Sequence, residues 1–303
     1  MRRALSLLGA ATLLPATALA HEAGANGVPD LWQAYSLDLY VVLPMLVAAG
    51  CYGVGVGRLW RRAGLGRGVE TWRAACFGAA MLALALALIW PFDVLGGVFL
   101  SAHMIQHVLL TTVAAPLLVL SAPIAAGLWA LPPAARRLAG GAARTGAIRR
   151  GWHVVTLPLS AWAFYAASLW LWHMPRLYEA AARDELVHAL EHGTFLASAL
   201  VLWWTVLLST RTSALGAGAG IFLLFTTALQ DGLLGALLAF APRPLYGVYA
   251  EAAHLLGHDP VADQQVAGIV MWIFGGLVYL TAALVLTRRF LLAPARSPLR
   301  MSS

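Results

Sequence analysis

Two pairs of histidines, each four residues apart, are the side chains in this 303-residue sequence best suited to chemistry. His103 and His107 lie in SAHMIQHVLLTT (101–112), and His188 and His192 lie in DELVHALEHGTF (184–195). On a helix, an i, i+4 spacing puts both imidazoles on one face, a turn apart. Two such pairs at matching depth supply four nitrogen ligands to one metal ion, or serve two neighbouring sites. Imidazole suits copper, zinc and iron, and thioether favours Cu(I). His173 is a fifth candidate. Met104 and Met174 adjoin His103 and His173, and Met45 and Met271 fall at comparable depth.

These histidines sit in apolar surroundings. The chain is 61% hydrophobic and 11% charged, whereas soluble domains carry about 25% charged residues. That composition describes an all-α polytopic membrane protein. Seven stretches approach the roughly twenty apolar residues that a spanning helix needs: 38–57, 74–92, 98–120, 154–173, 186–208, 216–240 and 266–287. The polar segments between them, the longest at 121–153 and 241–265, read as loops. Ahead of the spans, MRRALSLLGAATLLPATALA (1–20) has a basic start, a short apolar run and a small-residue end, the form of a cleavable signal peptide. The domain division is therefore 1–20 as signal and 21–303 as one transmembrane domain.

The net charge of +7 is the excess of 20 arginines over 13 acidic residues, since the chain has no lysine. Arg58, Arg61, Arg62, Arg67 and Arg73, then Arg136, Arg137, Arg144, Arg149 and Arg150, then Arg211, then Arg288, Arg289, Arg296 and Arg300 all fall on one side of the expected spans. Only Arg176, Arg183 and Arg243 fall on the other. This asymmetry is the topology signal of membrane proteins and no nucleic-acid footprint. It puts the mature N-terminus outside and the C-terminus in the cytoplasm of a bacterial inner membrane. Eight of the nine histidines then lie toward the outside, with His153 the exception. His254 and His258 read as solvated loop residues, and His21 would head the mature chain.

Other polar groups enter the same outer halves. Glu191 precedes His192, Gln230 and Asp231 lie in the sixth span, and Asp263, Gln264 and Gln265 lead into the seventh. Ionisable residues inside a span mark a site or pathway. A carboxylate can also orient a ligating histidine through its second ring nitrogen, a role that suits Glu191 and Asp231. Cys51 and Cys76 have no C-x-x-C spacing, and no Walker loop, nucleophile elbow, H-E-x-x-H or haem-attachment motif occurs. The residues describe a binding protein and no enzyme.

Three ordered blocks carry a family resemblance: FLSAHMIQHVLLTTVAAPLLVLSAP (99–123), WHMPRLYEAAARDELVHALEHGTFLASALVLWW (172–204), and RPLYGVY (243–249) with DQQVAGIVMW (263–272). They resemble the polytopic CtaG family of assembly factors for caa-type cytochrome c oxidases. The resemblance implies a seven-helix protein that matures a haem–copper oxidase of the respiratory chain, associating with its subunits and handling copper as a chaperone. It carries over His103, Met104, His107, His173, His188, His192, Asp263 and Gln264. The expected metal site is thus His103, His107, His173, His188, His192 and Met104 holding Cu(I), supported by Glu191, Asp231, Asp263 and Gln264.

Two other readings make different demands. A haem-binding electron carrier needs one axial histidine per helix and room for the macrocycle. A metal transporter needs polar residues through the full membrane thickness, whereas the cytoplasmic halves here are almost wholly apolar.

Overall fold

Proline, acidic caps and apolar runs together divide the chain into helices. The computed structural model describes residues 35–208 and 214–292, and no strand occurs among them. In order, the helices are α1 (Leu39–Ala63), α2 (Thr71–Leu88), a short α3 (Phe92–Gly96), α4 (Leu100–Leu120), α5 (Pro123–Ala130), α6 (Pro133–Ala143), α7 (Gly146–Val155), α8 (Pro158–Trp172), α9 (Pro175–Arg183), α10 (Glu185–Leu207), α11 (Ala214–Phe240), α12 (Gly247–Leu256) and α13 (Pro260–Leu291). Proline opens α5, α6, α8, α9 and α13, where its missing N–H removes no helical hydrogen bond. Asp184 and Asp259 cap α10 and α13 by accepting the backbone N–H of Val187 and Val261. The expected signal at 1–20, and His21 with it, lie outside the described residues.

Six of these helices are long and apolar enough to cross a membrane, and α7 with α8 adds a seventh span bent by 64°. The bend has a local cause: Pro158 restarts the helix after Thr156 and Leu157, so the expected straight span 154–173 is broken near its start. Helix α8 nevertheless packs along the second half of α10. Trp172 Nε1 donates to Thr194 Oγ1 (2.7 Å) at one end, and Thr205 Oγ1 donates to the Thr156 carbonyl (3.3 Å) at the other. The protein is a polytopic helical membrane bundle. Its lipid-facing side chains are large and apolar, among them Phe222, Phe225, Leu237, Phe274 and Leu280.

The structure corrects two boundaries. The segments 121–153 and 241–265, read as loops, contain α5, α6, α7 and α12, which are too short for the spanning pattern to reveal. The seventh span starts at Pro260 and not near 266, because Asp259 and Pro260 form a complete helix start on its polar side.

Helix α4 is the centre of the bundle. It packs against α2, α10 and α13, and 56% of its spanning window is buried, against 17% for α1. Near its middle, residues Leu109–Ala114 widen into a π-helical turn, and α13 does the same at Met271–Gly275. At the far end, the Arg73 guanidinium donates to the Leu120 carbonyl and caps α4 (2.9 Å), while Arg58 does the same for α5 through Trp129 and Ala130. Arg58 and Arg73 thus lie about 20–25 Å along α4 from the histidines near its start.

Helices α11 and α13 meet backbone to backbone at Gly235 and Gly268. A Cβ on Gly268 would collide with the Gly235 carbonyl oxygen, and one on Gly235 would lie 2.7 Å from the Gly268 carbonyl oxygen. Small residues at such a crossing let membrane helices gain close packing. Gly268→Val is therefore expected to cost at least about 3 kcal/mol, since overpacking here must move backbone. Gly276→Ala, with open space around it, is expected to change stability by less than about 1 kcal/mol. Thermal unfolding in detergent compares the two.

Candidate metal centre

The i, i+4 pairs meet as their spacing requires. His103 and His107 on α4 face His188 and His192 on α10, with ring centroids 5.3 Å (His103–His188), 5.5 Å (His103–His192) and 5.4 Å (His107–His192) apart. Within the pairs the centroids are 4.4 Å and 4.2 Å apart. Glu191 enters from α10 between the two histidines of α4. Its carboxylate oxygens lie 3.7 Å from His103 Nε2 and 3.6 Å from His107 Nε2. One ligand atom each from His103, His188, Glu191 and His192 falls within 4.8 Å of the others. A tetrahedral ion with bonds of about 2.0–2.1 Å holds its ligand atoms about 3.3 Å apart, so a small inward shift of the rings completes such a shell.

The chemistry of these atoms fits a metal. Glu191 is fully buried and His103, His107 and His192 nearly so. Yet both Glu191 oxygens, both His107 nitrogens and the Nε2 atoms of His103, His173, His188 and His192 have no hydrogen-bond partner among the described residues. Buried polar groups are ordinarily satisfied, because each unpaired one costs about 1–3 kcal/mol. An ion would satisfy several of these at once. His173, at the end of α8, has its tautomer fixed: Nδ1 donates to the Leu169 carbonyl at 2.7 Å, which leaves an Nε2 lone pair free. Its ring lies 5.7 Å from that of His107.

Glu191 was expected to orient a ligand, but its position makes it a candidate ligand itself. The order His188-x-x-Glu191-His192 explains this, because it places all three on neighbouring helical positions. The other expected supports act at a distance. Asp263 has no hydrogen bond or ion pair to a histidine among the described residues. Its carboxylate accepts the backbone N–H groups of Leu100 (2.7 Å) and Ser101 (3.3 Å) and the Ser101 hydroxyl, capping α4 from α13. Gln264 ties the α11–α12 connection, accepting from Leu245 N and donating to the Leu238 and Arg243 carbonyls. Asp231 accepts the Tyr165 hydroxyl at 3.0 Å, and Tyr165 pairs with Tyr279 at 2.8 Å. Met104 points into the apolar core, about 100° around α4 from His103, and Met174 is exposed.

Several neighbours were given no role by the sequence. Gln106, fully buried, donates to the Ala87 carbonyl (2.7 Å) and Asp93 (3.2 Å) and ties α4 to α2 and α3. A tyrosine roof covers His103. Tyr178 of α9 lies 5.3 Å from its ring and stacks on Tyr246 at 3.9 Å. Tyr178 also pairs with Tyr249, whose hydroxyl donates to the Gly96 carbonyl. Burial raises the pKa of Tyr178 and Tyr249 above the usual phenol value, so both stay protonated. Tyr246 and Tyr249 belong to the RPLYGVY block, the one signal that pointed to them. His258, expected to be solvated, instead packs its ring 4.9 Å from Phe99, with both nitrogens buried.

The bundle and its site define a class: a polytopic helical membrane protein with a buried histidine–glutamate cluster near one end. Residues 50–292 match the family described as cytochrome c oxidase caa3 assembly factor (Caa3_CtaG), and the chain belongs to that family. The match runs from the middle of α1 through α13 and includes every residue of the cluster. No curated protein and no solved structure shows significant similarity to the chain.

Because Asp263 supplies a helix cap from 163 residues away, Asp263→Ala is expected to destabilise the bundle by about 1–2 kcal/mol, the usual worth of an N-cap. Asp263→Asn, which keeps an acceptor oxygen, is expected to retain more than half of that. Thermal melts of the two variants in detergent measure the difference.

Proposed function

We propose that this assembly factor binds Cu(I) as cargo through His103, His188, His192 and Glu191 and passes it to a haem–copper oxidase on the outer side of a bacterial inner membrane. The observation that carries the reading is the convergence of buried, unpartnered ligand atoms from α4 and α10 at the end of the bundle opposite the arginines. By the positive-inside rule that end faces outward, the side from which an exported protein or a periplasmic carrier reaches it. Imidazole nitrogens suit copper among other ions, and Glu191 supplies negative charge that offsets the ion's charge in an apolar setting. His188 at the rim is the least buried of the four, so exchange proceeds from that side. The chain acts by binding and release and is no enzyme.

The haem alternative asks for space between the paired histidines. Their rings are already in contact, 4.2–5.5 Å between centroids, and a macrocycle would have to part α4 from α10. A transporter would extend the polar column to the arginine end. The column reaches Asp231, Tyr165 and Tyr279, deeper than the sequence suggested.

Detergent-purified protein, loaded with Cu(I) and desalted, is expected to retain copper at one equivalent or more in elemental analysis. His103→Ala/His188→Ala is expected to weaken that binding by more than the roughly 10–100-fold that loss of a supporting partner alone costs. His153→Ala, at the arginine end, is expected to leave it unchanged. Copper retained by the double variant at the full wild-type level, or stoichiometric iron with a Soret band, would reject the reading.

A further inference from the structure

His107 is not one of the four converging ligand residues around His103, although its Nε2 lies 3.6 Å from Glu191. It has two unpartnered buried nitrogens where the others have one. It also lines a cavity of about 20 Å³. Met271, Asp231, Tyr165 and Thr111 line the same cavity. Asp231 is 6% exposed and His107 3% exposed. One oxygen of Asp231, Oδ2, accepts the Tyr165 hydroxyl, while the other, Oδ1, is buried with no partner among the described residues. The space suits one water-sized occupant, and the residues around it carry an imidazole, a thioether and a carboxylate.

The backbone is shaped for this cavity. Thr111 and Thr112 come from the π-helical turn of α4, and Met271 and Gly275 from that of α13. Two π turns on facing helices open onto one space. Such turns forfeit regular hydrogen bonding and cluster at functional sites. At Gly275 a Cβ would come within 3.9 Å of Asp231 Oδ2.

We propose that this cavity is a second, deeper metal site, with His107, Asp231 and Met271 as ligands to a soft or borderline ion such as Cu(I). The proposal rests on the reading of the outer cluster as a copper site and deepens it: the histidines divide into two sites that share one wall. The imidazole and thioether select a copper-like ion. The carboxylate gives the inner site a charge of its own. Tyr165, held in turn by Tyr279, keeps that carboxylate in place.

The test is copper stoichiometry of the full-length protein in detergent after loading with Cu(I), joined to X-ray absorption at the copper edge. Wild type is expected to hold two equivalents with a sulfur scatterer. Asp231→Asn and the volume-conserving Met271→Leu are each expected to hold one, and Met271→Leu is expected to lose the sulfur signal. His188→Ala/His192→Ala is expected to hold one and keep it. A single equivalent in wild type that is lost only from His188→Ala/His192→Ala would overturn the inner site and leave the outer one standing. Two equivalents retained by both Asp231→Asn and Met271→Leu would also overturn it, as would wild-type copper without sulfur. No copper in any form would remove both sites together.

Discussion

Imidazoles and carboxylates held in a water-poor bundle without hydrogen-bond partners are the constraint on which the rest of this structure depends. In hydrocarbon each unsatisfied polar group costs several kcal/mol, so a cluster of five histidines and a glutamate persists only where the surrounding helices leave it no alternative arrangement. Helix α4 supplies that rigidity. It is the most buried of the spanning helices, capped at one end by Asp263 of α13 and at the other by Arg73 of α2. Its rotation about its own axis, which decides where His103 and His107 point, is set by neighbours on three sides.

The supports are dispersed because a helix in a membrane cannot borrow water. Gln106 fastens α4 to the α2–α3 connection, Gln264 fastens the loop that carries the tyrosine roof, and Tyr249 closes onto the Gly96 carbonyl. Each long-range contact satisfies a backbone group that solvent would satisfy in a soluble protein. The polar residues of the outer half therefore fall into two kinds. Some are consumed by structure, as Asp263, Gln264 and Gln106 are. Others are left open, as His103, His107, His188, Glu191 and His192 are. That contrast is the physical case for a bound ion, and it agrees with membership of an oxidase assembly family.

Much of the bundle was legible in the sequence because the bilayer imposes a length and a polarity that short windows reveal. The long apolar runs became α1, α2, α4, α10, α11 and α13, and the i, i+4 histidine pairs could only face one way once helical. Less legible were the short helices α5, α6, α7 and α12, whose periodicity spans too few turns, and the bend before Pro158, where a helical start signal interrupts an apolar run. Asp263 illustrates a different limit. A carboxylate leading into a span is consistent with a cap for its own helix, a ligand support or a trans cap, and sequence spacing alone does not choose among them.

The sequence by itself determined a polytopic helical membrane protein, the two histidine pairs and the family blocks, since these follow from hydropathy and helical periodicity within single segments. Only the tertiary structure decided that α4 faces α10 at matched depth and that Glu191 sits between His103 and His107 as a ligand candidate. It also decided that His107 lines one cavity with Asp231 and Met271, which come from two further helices. The reason is physical: these relations depend on how helices rotate and slide against one another, and that is fixed by packing among residues far apart in the chain, at contacts such as Gly235 against Gly268.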